Sequence, residues 1–434
     1  MTTRKSGNGG SDSPADRSGV HELEGTNRSS SEPKKVVPSP APAATAARQE
    51  VGTATVPGNT TTTTTAATVA TGSTVGRGIL LREKGDILNM IADAGGPPRQ
   101  PMHGFDPDYV DVVDYIVRIT HRIWEEKAVG LIYDTYGHNI SMWSTDGLTK
   151  GRETVVANTL RSLAAHPDVR IYVEEVVWSG NEKDGYHTSM LATSVRRNTG
   201  YSAYGPPTGR TVVRRGIANC LVRENRIIEE WLVHDELAVV RQMGYDPYEQ
   251  AARIAHAEAA AGHGGGRVGE VERIAGQTVP LPYPPPTHDG FDPEDLVRRG
   301  MHEIWNRRML DQVNAYYAAD VLCHASSAKE LYGVGDLKVH ILNLLGAFPD
   351  ALMTVDHFYG MDDGQGGYRT AVRWTLIGTH MGPGIYGTPT GRQVRLMGIS
   401  QHRIVRGVIV EEWMVYDEFA LLKQLVPVDR THEA

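Results

Sequence analysis

The sequence predicts an α+β protein: two tandem domains, each of helices packed on a curved antiparallel sheet, behind a disordered N-terminal tail. Three observations carry this. The string RIIEEWLVHDE (226–236) returns as VIVEEWMVYDE (408–418). Other pairs keep the same spacing, YGPPTGRTVVRRGI (204–217) with YGTPTGRQVRLMGI (386–399) and HPDVRIYVEE (166–175) with FPDALMTVDH (348–357), a shift of 182 residues held from Gly151 to about Met243. Within each unit apolar residues first recur at helical spacing and then alternate, which gives helices followed by a meander of strands. A constant shift across several elements marks a duplicated domain of ordinary size, not an array of short repeats.

Residues 1–76 are Ser, Thr, Pro, Ala and Gly with hardly an aromatic, as in PGNTTTTTTAATVATGS (57–73). Such a tail cannot bury enough surface to offset chain entropy. The next segment, 77–103, holds one short helix in GILLREKGDILNMIADAGG (78–96), ended by its glycine pair and followed by a proline break. The first domain is 104–245. Its opening stretch, GFDPDYVDVVDYIVRITHRIW (104–124), is helical, with Asp106 and Pro107 as cap and first-turn residue, and GRETVVANTLRSLAAHPD (151–168) is a second helix. Four strands follow around VRIYVEEVVWSG, GYHTSMLATSVRR, RTVVRRGIANCLVREN and RIIEEWLVHDE, separated by turn residues such as NEKDG and PPTG. ELAVVRQMG is the closing helix. The linker, 246–287, carries a helix stopped by glycines and then a polyproline spacer. The second domain, 288–427, repeats the first.

Composition excludes several functions. A formal charge of −8 and a pI of about 6.1 give no footprint for a nucleic acid, and no Lys/Arg cluster supplies one. Cys220 and Cys323 stand without ligand-spaced neighbours, so neither a disulfide framework nor a metal site is expected. No apolar run is long enough for a membrane span and no leader pattern is present, which points to a soluble, cytoplasmic protein. Gly209 and Gly391, in PPTGR and TPTGR, read as hairpin-turn glycines and not as a phosphate loop.

The chemistry-bearing candidates are the acids that end the repeated string, Asp235 and Asp417. On a strand they share a face with Trp231 and Val233, or with Trp413 and Val415. There an acid is partly desolvated, and its pKa rises toward the range of proton transfer. The competing reading is that each caps the helix beginning DELAVV or DEFALL. Possible supporting groups are His380, His402 and Tyr416 in copy two, where copy one has Asn198, Cys220 and His234. By parity His402 and Tyr416 lie on the face opposite Trp413. His121 and His302 recur on the first helix, three residues before Trp124 and Trp305, and could reach the mouth of a cavity.

The element order and the strings GTHMGPGIYGTPTGR (378–392) and IVEEWMVYDEFALLKQL (409–425) resemble the SnoaL-like polyketide cyclases of the nuclear transport factor 2-like superfamily. The resemblance covers roughly 104–244 and 290–426. It implies a cone-shaped α+β fold around an apolar cavity and an intramolecular aldol ring closure without cofactor. Asp417 and Asp235 would then be acid/base, Trp413 and Trp231 would contact substrate, and the ligand would be a small carbonyl compound. The tandem arrangement departs from the usual single domain, which suggests an intramolecular pseudo-dimer, with homo-oligomers also open. Copy one carries Asn198 in place of the GTH histidine, so copy two is expected to be the more complete site. Dehydratases, isomerases, epoxide hydrolases and plain binding or scaffold proteins share such folds. The absence of Arg-x-Asp on the strand before the EW strand disfavours an epoxide hydrolase.

Overall fold

The computed structural model describes residues 97–145, 147–262, 280–286 and 289–428. The tail, the helix expected at 78–96 and part of the linker lie outside the described residues. Copy one runs α1 (Val112–Trp124), α2 (Ile132–Thr135), β1 (Tyr136–Ser144), β2 (Gly147–Lys150), α3 (Arg152–Ala165), β3 (Arg170–Asn181), β4 (Gly185–Arg197), β5 (Thr211–Arg223), β6 (Arg226–His234) and α4 (Glu236–Gln242). Helix α5 (Pro247–Ala260) follows. Copy two repeats the plan with α6 (Pro293–Met301), α7 (Val313–Tyr316), β7 (Tyr317–Ala325), β8 (Lys329–Tyr332), α8 (Gly333–Ala347), β9 (Leu352–Asp362), β10 (Gly367–Thr379), β11 (Gln393–Val405), β12 (Val408–Tyr416) and α9 (Glu418–Leu425).

Each copy has a six-stranded sheet, ordered β2-β1-β6-β5-β4-β3 and β8-β7-β12-β11-β10-β9. The four-strand meander is antiparallel, as the alternation predicts. The first hairpin of each copy, which the alternation does not predict, joins the meander by a parallel pairing of β1 with β6 and of β7 with β12. Nothing in YGHNISMWS alternates cleanly, because β1 is half exposed along its length and gains its place from pairing with β6.

The first helix departs from expectation in copy one. Asp106 and Pro107 do not start it; Asp111 does, accepting from the Asp114 backbone N–H at 2.7 Å while the Asp114 carboxylate accepts from Val110 at 3.2 Å. Two reciprocal caps outcompete the single Asp-Pro signal. In copy two Asp292 and Pro293 do fill those roles.

One face of each sheet holds its own helices. The other faces its counterpart, where Leu191, Ile217, Trp231 and Val233 of copy one pack with Met397, Ile399, Trp413 and Val415 of copy two. Gln401 donates to the Ser189 carbonyl across this contact at 2.9 Å, and the Arg373 guanidinium lies 4.2 Å from the Trp231 ring centroid. Helix α5 packs on α9 and ties to it through Lys423 and Glu258 at 2.9 Å. No described helix is long and apolar enough to cross a membrane.

Candidate active site

Strand β6 points Glu230, Leu232 and His234 toward its helices and Trp231 and Val233 toward the other copy. Parity therefore sorts these residues correctly, but the interior face is the opposite one from that expected. Trp231 and Trp413 stand between the two sheets, outside the cavity lining of copy one. Asp235 and Asp417 are buried, at 5% and 3% exposed, yet the cavity of copy one is lined without Asp235.

Both acids are helix caps, and both also reach across to the other copy. The Asp235 carboxylate accepts from Ala238 at 3.3 Å at the start of α4 and from Ala328, in the β7–β8 turn, at 2.9 Å. Asp417 accepts from Phe419 and Ala420 at 2.9 and 3.0 Å and from the Thr145 hydroxyl, in the β1–β2 turn, at 2.9 Å. Desolvation raises the Asp235 carboxyl, with the backbone donors of Ala328, Ser327 and Ala238 opposing it. The expected desolvation is thus present, at the junction of the copies instead of in a hollow.

The cavity of copy one, about 270 Å³, lies between the sheet and its helices. Its walls are largely apolar, with Ile119, Ile123, Val169, Ile171, Met190 and Ile227 among the contributors and Trp124 from α1. Glu230 lines it, 7% exposed and opposite Cys220 on β5. Burial lifts the Glu230 carboxyl to about 7, with the Tyr136 hydroxyl pulling the other way. At one end of the sheet the register brings together Arg196, Arg214 and His234, because His234 pairs with Gly216 and Arg214 with Ser194. Gly216 makes room: a Cβ there would sit 2.3 Å from the His234 ring. Burial and then the neighbouring Arg214 hold His234 well below its ordinary pKa, so it is a neutral imidazole. Arg214 donates to Glu236 at 2.7 Å, and Tyr204 donates to the same carboxylate at 2.6 Å. Burial would raise Glu236, but the Arg214 and Arg196 guanidiniums and the Tyr204 hydroxyl outweigh it and hold the carboxyl at about 2.

Copy two fills the equivalent space. Ala192, Ser162, Ser194 and Arg214 of copy one correspond, 182 residues on, to Trp374, Leu344, Leu376 and Leu396. Trp374 is buried, donates to Ser400 at 3.2 Å, and occupies the room beside Gly398, where a Cβ would lie 2.1 Å from its ring. Glu412, the counterpart of Glu230, is paired with His402 at 3.4 Å and accepts from Tyr317 at 3.0 Å. Burial would raise Glu412, yet His402 and the Tyr317 and Ser400 hydroxyls keep it lowered. A separate depression of about 370 Å³ beside Lys329, His340, Tyr386 and Glu418 has its polar groups joined to one another, since Tyr386 and Lys329 both donate to Glu418 at 2.8 and 3.3 Å. The expectation that copy two is the more complete site is corrected: the open, unsatisfied cavity belongs to copy one.

The remaining candidates are distributed as follows. His402 and Tyr416 face the interior of copy two, Tyr416 lying 6.0 Å from Trp374 between ring centroids. Asn198 and His380 brace the loop after β4 and after β10: Asn198 accepts from Thr208 at 2.8 Å and donates to Gly200 at 2.9 Å, and His380 is bonded to Thr390 at 3.3 Å. Neither lines the cavity of copy one. His121 is buried on α1 beside Glu126 at 3.3 Å, away from the cavity lining that its neighbour Trp124 joins, and His302 bonds the Leu281 carbonyl at 2.7 Å. Sequence reasoning passed over Glu230, Arg196 and Arg214. The signal for Glu230 was its parity with His234; for the arginines there was none without the strand register. No group of residues suited to a metal ion occurs among the described residues.

The model of the SnoaL-like polyketide cyclases matches residues 115–243 and again 295–425. The chain belongs to the SnoaL-like polyketide cyclase family. Among solved structures, AclR, a putative hydroxylase from Streptomyces galilaeus, is similar at 28% identity and TM-score 0.27 over 30% of this chain and 79% of that one. IdmH, a putative polyketide cyclase from Streptomyces antibioticus, is similar at 24% identity and TM-score 0.27 over 31% of this chain and 97% of that one. The search of curated proteins gives no match. Each SnoaL-like unit thus corresponds to one copy of the duplicated domain.

Proposed function

We propose that the SnoaL-like cavity of copy one carries out a cofactor-independent, polyketide-cyclase-type ring closure with Glu230 as the proton-transferring group. The observation that supports this is a single carboxyl on an apolar cavity wall with its pKa lifted by burial to about 7. A group poised there accepts and returns a proton at neutral pH. In an intramolecular aldol closure the Glu230 carboxylate removes an acidic α-proton next to a carbonyl, the enolate carbon attacks a second carbonyl of the same molecule, and the new alkoxide takes the proton back. The Tyr136 hydroxyl, beside Glu230, is placed to donate to the developing oxyanion. The role first given to Asp235 passes in this reading to a residue five positions earlier. Asp235 and Asp417 become positioning residues for the helices that close each copy.

The test compares substitutions on a linear polyketide-like diketone, following ring closure and solvent deuterium entering the α-carbon. Glu230→Gln lowers both by at least about 10²-fold with the fold intact, while Asp235→Asn changes them little. The reverse pattern returns catalysis to the aspartate. Unaltered turnover in both variants removes both acids from the chemistry, and no turnover in the wild-type chain makes the cavity a binding site in a non-catalytic relative.

A further inference from the structure

Arg196 is a charged part of the cavity wall that the chemistry above leaves unused. It is 4% exposed, lines the cavity, and its Nε has no hydrogen-bond partner among the described residues. Its neighbour Arg214 also has an unpartnered Nε, and spends one terminal nitrogen on Glu236. Two guanidiniums, on neighbouring strands β4 and β5, thus face one carboxylate at the end of the hollow, with a neutral His234 on β6 beside Arg214. Leaving a desolvated guanidinium without partners costs free energy, and a ligand that supplies acceptors recovers it. Burial followed by repulsion from Arg214 brings the Arg196 pKa down to about 9, as an uncompensated positive charge requires.

We infer that Arg196 and Arg214 form a carboxylate seat, so that copy one takes a planar aromatic or polyenyl carboxylic acid. A guanidinium offers two parallel donors that match a carboxylate fork, and an ester or alcohol cannot carry the compensating charge. The apolar length of the cavity takes the rest of the ligand. A hollow of 270 Å³ is larger than the roughly 150 Å³ that holds a benzene ring and suits about two fused rings. At the matching positions copy two has Gly378 and Leu396, so the seat exists in copy one alone. The substrate class assigned here rests on the reading of this cavity as the reaction site. It also implies that the preceding step releases its product as a free acid, by hydrolysis of an ester or thioester, and not as the ester itself.

Calorimetric titration of the full chain with 3-hydroxy-2-naphthoate and with its methyl ester tests the seat. The expected result is binding of the acid at least about 10-fold tighter than the ester, the size of a charge-assisted contact. Arg196→Met abolishes that preference while leaving ester binding within about twofold, Arg196→Lys retains part of it, and Arg197→Met on the exposed neighbouring position leaves it intact. Equal affinity for acid and ester, failure of the acid to bind, or an acid preference that survives Arg196→Met overturns the inference. Glu230→Gln separates the two readings. It keeps the acid preference if the seat is right, whatever happens to turnover.

Discussion

Copies one and two share a backbone plan and differ in what occupies the space between sheet and helices. The same glycine shows how. At Gly216 the room left by the missing side chain admits the His234 ring and leaves a cavity beyond it; at Gly398 it admits the Trp374 indole. One residue pair, Ala192 against Trp374, accompanied by two serines and an arginine against leucines, converts an open hollow into a packed core. The acid follows suit. Glu412 is enclosed with His402 and Tyr317, whereas its twin Glu230 faces the hollow. A shared fold therefore does not carry a shared site, even inside one chain.

Exchanging the fillers should have the largest effect. Trp374→Ala is expected to cost about 3–5 kcal/mol in urea unfolding, as a large buried side chain leaves a void, while Ala192→Trp should leave the chain folded and abolish ligand binding in copy one. If Ala192→Trp still binds naphthoate, the ligand sits elsewhere and the contrast between the copies is broken.

Next comes pH. The folded-state pKa of Glu230, about 7, lies above its unfolded value near 4.5, so the native state holds the extra proton. This contribution is fully present below the unfolded value and is lost as pH rises through 7, a fall of up to about 3 kcal/mol. Unfolding followed between pH 4.5 and 8 should show that decline in the wild-type chain and lose it in Glu230→Gln. Glu412→Gln should leave it in place, because that carboxyl is held low. Base-limited turnover should move the opposite way and rise as pH passes 7.

The smallest effects belong to the cross-copy caps. Asp235→Ala and Asp417→Ala should each lower stability by about 0.5–2 kcal/mol, and the Asn variants by much less, since Asn accepts from the same helix N–H groups. Thermal unfolding of all four checks this. A loss in Asp417→Asn as large as in Asp417→Ala would show that the contact to Thr145, and not the cap, carries the energy.

Much of the fold was legible because duplication gave every element an internal control. The meander, the helix at 152–165 and the caps at Asp235 and Asp417 all follow from local patterns. What was not legible depends on partners distant in sequence. Strand β1 exists by pairing with β6, and the start of α1 is decided by Asp111 and Asp114 acting together. At the site, alternation separated Trp231 from Glu230 but could not say which side was enclosed, since both faces of β6 are buried, one by helices and the other by the second sheet. Aromatic company made the wrong side attractive. The arginines were invisible for a further reason: Arg196 and Arg214 come together through the register of β4 with β5, which no single segment encodes.

The sheet-to-sheet contact joins two units that are covalently one. In an assembly of identical subunits every substitution is written into both halves, so a wall residue cannot be enlarged in one without closing the other. A fused tandem escapes that constraint, and here Trp374 has been spent on solidity while Ala192 keeps a vacancy. Saturation of the hollow should accordingly arrive at a single guest molecule for each polypeptide, with the Trp374-filled half acting as a permanent wall against which the receptive half is held in shape.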